Sequence, residues 1–216
     1  MKKLIIIFSC IGSNERKLIN KEWVKIKISP KYKDNDWKEL CFNKEEDWER
    51  GIDIFKDRIY GRFLDPISDL EKKEYTGFLI MAIDCLLIET LQQFIKGVPE
   101  TPRGKNESYF KKFLISYFKE YFDDEKAKMF YQQIRCGILH QAETKENSKI
   151  KISNELPIVK FTKEKDGLII NRKKFHEKLK KAFKSYIGQL KDKTNEPLRN
   201  NFRKKMGYIC RIEYQE

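Results

Sequence analysis

The chain has 216 residues, 40% of them hydrophobic and 13% aromatic, which is enough apolar material for one sizeable core. Charged residues make up 37% and the formal net charge is +13, an excess that attracts polyanions without dictating a fold. The five cysteines (Cys10, Cys41, Cys85, Cys136, Cys210) are scattered and odd in number, with no CxxC pair, which argues against a disulfide framework and against a zinc site.

Met1 to Cys10 opens with two lysines and the apolar run Leu4–Phe8. That run is shorter than the ~7–15 residues of a secretory h-region, so it reads as a short buried strand in a cytoplasmic protein. Trp23 to Ile28 alternates like a half-buried strand that Pro30 ends, and Asp34–Asp36 suits a turn. Residues 1–44 are therefore read as an N-terminal extension with short strands, and 45–216 as a helical domain. Trp48, Ile52, Phe55, Ile59 and Phe63 recur at three- and four-residue steps and predict a helix from Glu45 to near Asp65-Pro66. A second helix is expected from Ser68 or Asp69 to Lys96, stopped by Gly97. Its middle, Phe78–Ile83, is apolar on every face, so it should be central. No stretch is read as reaching the ~20 apolar residues of a membrane span, and the longest candidate, Phe78–Ile88, contains Asp84.

Gly97–Ser108 reads as a loop, Tyr109–Phe122 as a third helix, and a fourth is capped by Asp123 or Asp124 and breaks after His140. Short strands are expected at Lys149–Ile152, Ile158–Phe161 and Leu168–Ile170, forming a small β-hairpin or meander inserted at about 148–170. Basic helices follow over about 171–207. From Arg172 to Lys205, 13 Lys and Arg face three acids, so this segment holds +10 of the net charge. It is either a solubilising helix or a nucleic-acid surface. On the second reading Arg172, Lys173, Lys174, Lys178 and Lys181 would contact RNA phosphates and release counterions. His176, set among these cations, reads as a surface residue. The expected fold class is mainly α, a four-helix core with a small β-hairpin and a basic C-terminal helix behind it.

The fourth helix ends Tyr131-Gln132-Gln133-Ile134-Arg135-Cys136-Gly137-Ile138-Leu139-His140-Gln141. One of only two histidines stands where the helix breaks, five residues after an arginine in a core-like stretch. On an ideal helix these two side chains leave the axis ~140° apart, so they can share a groove only if the helix end distorts or a second helix supplies the other wall. The plain alternative is that His140 steadies the helix dipole and Arg135 pairs with an acid. Asp84 lies in the apolar stretch of the central helix, with Glu89 five residues on. Such acids need partners, so Asp84 either orients Arg135 or His140 or forms a structural ion pair. Gln133 and Gln141 flank the motif and either bond phosphate or base edges or are merely solvated.

Arg135-x4-His140, on the last helix of a four-helix core, resembles the Arg-x(4–6)-His motif of the HEPN superfamily. The resemblance covers roughly Glu45–Gln141, and Cys136 stands where that family commonly carries a polar residue. It implies a HEPN-like up-and-down bundle and metal-independent RNA cleavage at a homodimer interface, with Arg135 and His140 catalytic. It implies no cofactor and no metal. It also implies a toxin or anti-phage effector. A separate expectation, from the basic helix alone, is an interaction protein that docks an antitoxin or acidic protein partner; no membrane is expected. The competing expectation is a non-catalytic module that binds nucleic acid or protein through the basic helix.

Overall fold

The computed structural model describes residues 16–17 and 26–214; the strand expected at Leu4–Phe8 and the first half, 23–25, of the one expected at Trp23–Ile28 lie outside the described residues. The fold is mainly helical with a small three-stranded sheet. Its helices are α1 (Asp34–Lys38), α2 (Glu45–Ile59), α3 (Asp65–Leu70), α4 (Gly77–Lys96), α5 (Asn106–Tyr117), α6 (Asp124–Met129), α7 (Cys136–Gln141), α8 (Arg172–Lys191) and α9 (Glu196–Ile209). Two π-helical turns, Tyr60–Leu64 and Phe130–Arg135, join α2 to α3 and α6 to α7 without a break.

The first π turn explains why the helix from Glu45 does not stop at Pro66. Proline has no N–H, and its ring collides with carbonyls one turn back in an α-helix. Here the turn before it widens, with Asp65 N–H donating to Tyr60 O, and the coil passes through Pro66 to Leu70. The central helix consequently starts at Gly77, later than its sequence suggests. It ends as expected at Gly97, whose φ of 64° is the left-handed conformation glycine adopts without strain. Asp123 caps α6 by accepting from Lys126 N–H.

At 20 residues and mean hydropathy 1.7, α4 is long and apolar enough to cross a bilayer by length and composition, contrary to the reading of the sequence. Half of it is buried inside this fold, as in the core helix of a globular domain. Its neighbours are α5, α7, α8 and α9. Ile80, Met81, Leu87, Ile88, Leu91 and Phe94 supply its share of the core. The basic C-terminal helices are part of this core rather than an addition behind it. Phe175, Leu179, Phe183, Tyr186 and Leu190 form the inner stripe of α8, and Phe202 and Met206 that of α9. Phe55 sits at the junction, 4.4 Å from Phe94, 5.6 Å from Phe183 and 5.3 Å from Phe202 between ring centroids. Trp37 of α1 meets Phe202 at 5.5 Å, so the described part of 1–44 belongs to the same core.

The three strands are β2 (Lys149–Lys151), β3 (Val159–Phe161) and β4 (Leu168–Asn171), in the order β2-β4-β3. The β3–β4 pair is the expected hairpin, turning at Lys165-Asp166-Gly167, but β2 pairs with β4 in parallel, so the sheet is not a meander. A separate two-stranded ribbon pairs β1 (Arg16–Lys17) with β5 (Glu213–Tyr214).

Phe55 touches α4, α8 and α9 at once, and its truncation leaves a cavity that none of the three helices can fill alone. Phe55→Ala should lower unfolding free energy by about 3–5 kcal/mol in chemical denaturation. A loss below about 1 kcal/mol would mean the three helices are not jointly keyed by this ring.

Candidate functional site

The Arg135 motif lies where the second π turn returns to α-helix, a kind of irregularity often found at functional sites. Past it, the chain folds back over Gly137. A Cβ there would come 2.5 Å from Glu143 O, so only glycine admits the loop at this distance. The same loop donates Lys145 N–H to Gln133 O at 2.9 Å. The helix then closes at Ala142 in the left-handed conformation, φ 56°, leaving His140 on its last turn.

Arg135 is largely buried, and its Nη2 donates to Glu89 Oε2 of α4 at 2.9 Å. Its guanidinium lies 5.3 Å from the Tyr131 ring centroid, and its Nη1 approaches Cys136 Sγ at 3.9 Å. Burial pulls its pKa down, but the hydrogen bond and charge of Glu89 outweigh that and hold it above the ordinary arginine value. Its Nε has no hydrogen-bond partner among the described residues. Arg135 forms one wall of an open groove of about 400 Å³, with Ala82, Leu86, Glu89, Gln93 and Leu139. Leu86 and Leu139 are 45% exposed each, so the groove has an apolar rim around a cation. His140 is exposed and makes no hydrogen bond or ion pair with the described residues. It is not among the groove's lining, so one chain does not bring both members of the motif to that groove.

The other expected site residues fall elsewhere. Asp84 does not reach for Arg135 or His140. It is 0% exposed, and its Oδ1 lies 2.8 Å from Nδ1 of His176, itself 1% exposed. Burial raises the Asp84 pKa, against the opposing pull of the His176 hydrogen bond and the charges of His176 and Arg172. The surface reading of His176 is thus corrected: it is on the inner stripe of α8. Gln133 supports the sheet rather than the motif's chemistry. Its Oε1 accepts from Ser148 Oγ at 2.6 Å, and its Nε2 donates to Asp166 O at 3.0 Å. Gln141 is exposed on the last turn of α7.

The expected RNA contacts divide. Arg172 is buried, not presented to solvent. Lys174 donates to Asn154 O and Leu156 O at 2.7 Å each, anchoring the β2–β3 loop, and Lys178 pairs with Glu120 at 3.7 Å. Lys173 and Lys181 are exposed, as are Lys184 and Lys191, and their spacing sets them on one stripe of α8. Glu89 was already marked by its place in an apolar helix, but the spacing alone did not pair it with Arg135. Among the described residues no group of three or more His, Cys, Asp or Glu side chains is placed to hold a metal ion.

No protein-family model, no curated protein and no solved structure matches this chain.

The Glu89–Arg135 pair is intermediate between a surface bridge and a buried one. Glu89→Gln should cost about 1–3 kcal/mol of stability, because the guanidinium keeps its place and loses its counter-charge. Thermal or denaturant melting measures this, and a neutral outcome would mean that packing against Tyr131 alone holds Arg135.

Proposed function

We propose that this protein is a HEPN-type endoribonuclease, a cytoplasmic enzyme that works as a homodimer without a metal ion, with Arg135 and His140 as its catalytic residues. The observation that carries the reading is the state of Arg135. It is a cation held in a groove wall with Nε unpartnered, five residues before an unengaged, exposed imidazole. The helical core with α4 at its centre is consistent with a HEPN-like bundle. Exposed Leu86 and Leu139 beside the arginine give a second copy an apolar surface to cover. Such pairing supplies the opposite wall that the divergence of the two side chains calls for, with one motif from each chain.

The chemistry follows from the two groups. In RNA the ribose 2′-OH attacks the adjacent phosphorus. The 2′-O–P bond forms, the P–O5′ bond breaks, and the products carry a 2′,3′-cyclic phosphate and a 5′-OH. An imidazole can both take up and release a proton, so His140 suits removal of the 2′-OH proton or delivery of one to the 5′-oxygen. Arg135 keeps its charge and offers planar N–H donors to the phosphoryl oxygens as their charge grows. Lys173, Lys181, Lys184 and Lys191 supply a non-specific track for the RNA backbone. A toxin or anti-phage role, with an antitoxin as partner, follows only from the resemblance to the superfamily.

A second reading is favoured by one observation: Glu89 already neutralises Arg135. On it the protein is a non-catalytic module that binds nucleic acid or an acidic protein through the α8 lysine stripe.

Purified protein should cut single-stranded RNA in EDTA and leave 2′,3′-cyclic phosphate ends. Because His140 is exposed, His140→Ala should slow this by about 100-fold or more with melting unchanged. Cutting that survives the substitution removes His140 from the mechanism. Salt-sensitive RNA binding with no cleavage by either protein favours the second reading.

A further inference from the structure

Arg172, displaced from the RNA surface that its sequence context suggests, lies against a different cavity. That cavity holds about 480 Å³ between the α3–α4 turn and the sheet, on residues including Lys73, Tyr75, Thr76, Ile152 and Arg172. This is within the ~300–1,000 Å³ range of small-molecule sites. Arg172 is 5% exposed, yet its Nε and Nη1 have no hydrogen-bond partner among the described residues. Its ion-pair partner, Glu71 Oε1, stands 3.7 Å from Nη1, which balances charge but is too long for a hydrogen bond. A buried guanidinium with open donors is costly unless something accepts from it.

The rest of the lining indicates the acceptor's class. Lys72 and Lys73 add positive charge at the mouth, though Lys72 is already paired with Asp69. Glu71 and Glu74 oppose them, so the cavity favours one compact anion over an extended polyanion. Planar, doubly donating guanidinium groups match phosphate geometry. A bare phosphate fills only a fraction of the volume. At the rim, Tyr75 is 98% exposed in a left-handed conformation, φ 61°, and Ile152 is 62% exposed. Together they offer an aromatic face and an apolar edge to a ring carried by the phosphate.

We propose that this cavity binds a mononucleotide-class phosphate ester, its phosphoryl group on Arg172 and its planar ring on Tyr75. The site is separate from the Arg135 groove and stands whether or not the chain cuts RNA. The phosphate takes the hydrogen-bonding place that Glu71, at 3.7 Å, leaves unfilled, and Glu71 remains as the competing anion.

Isothermal titration of the full chain with AMP, adenosine and inorganic phosphate tests this. AMP should bind at least tenfold more tightly than either of its parts. Tyr75→Ala, at a fully exposed position, should keep the fold and weaken AMP about tenfold while leaving the weak phosphate affinity unchanged. Glu71→Gln should tighten AMP, because it removes the competing carboxylate. Arg172→Lys, checked for folding by circular dichroism, should abolish AMP binding. No binding of AMP, adenosine or phosphate matching AMP in affinity, or AMP binding indifferent to both Tyr75→Ala and Glu71→Gln, would overturn the proposal.

Discussion

Two acids on one apolar helix organise much of this molecule. α4 is hydrophobic enough to be the centre of the fold, and a carboxylate in such a helix must find a partner or lose its charge. Asp84 finds His176 on α8, and Glu89 finds Arg135 at the π turn before α7. Each pair joins α4 to an element far along the chain, 92 residues away in one case and 46 in the other. Hydrophobic contact alone lets helices slide, whereas a hydrogen-bonded polar pair fixes azimuth and register. The same Glu89 contact that locks the α6–α7 helix also sets Arg135 in the groove wall, so architecture and candidate chemistry share one interaction.

The helix stripes, the cap at Asp123 and the stop at Gly97 were legible because each depends on residues close in sequence. Pro66 misled, since a proline marks a helix end unless the turn before it widens, and that widening depends on how the helix packs. His176 misled for a different reason. Its neighbours are lysines, but it follows Phe175 directly and precedes Leu179 and Phe183 by three and seven residues, which sets it on the buried stripe. Periodicity outranked local charge there. The basic segment was read as one surface. In the fold its cations separate by face into the buried Arg172, the loop-anchoring Lys174 and an exposed lysine stripe.

Of the candidate site, the motif residues were legible and their partners were not. Gln133 and Asp84 look like helpers of the motif by proximity in sequence or by chemistry, but long-range partners claim both: Ser148 and Asp166 for one, His176 for the other. What stays at the motif is spare. Arg135 has one anchor and an open Nε, and His140 has solvent. A fixed cation and an unengaged imidazole that diverge within one chain make sense as halves of a site completed by a second chain.

The most direct test follows both imidazoles by nitrogen-15 NMR while a non-cleavable 2′-O-methyl RNA is added. The chain has two histidines, and His176 is shielded in the core, which makes the exposed signal assignable to His140. The account predicts that the His140 ring signals move on RNA addition, that the His176 signals do not, and that Arg135→Ala abolishes the change. RNA that binds while the His140 ring stays unperturbed would contradict it.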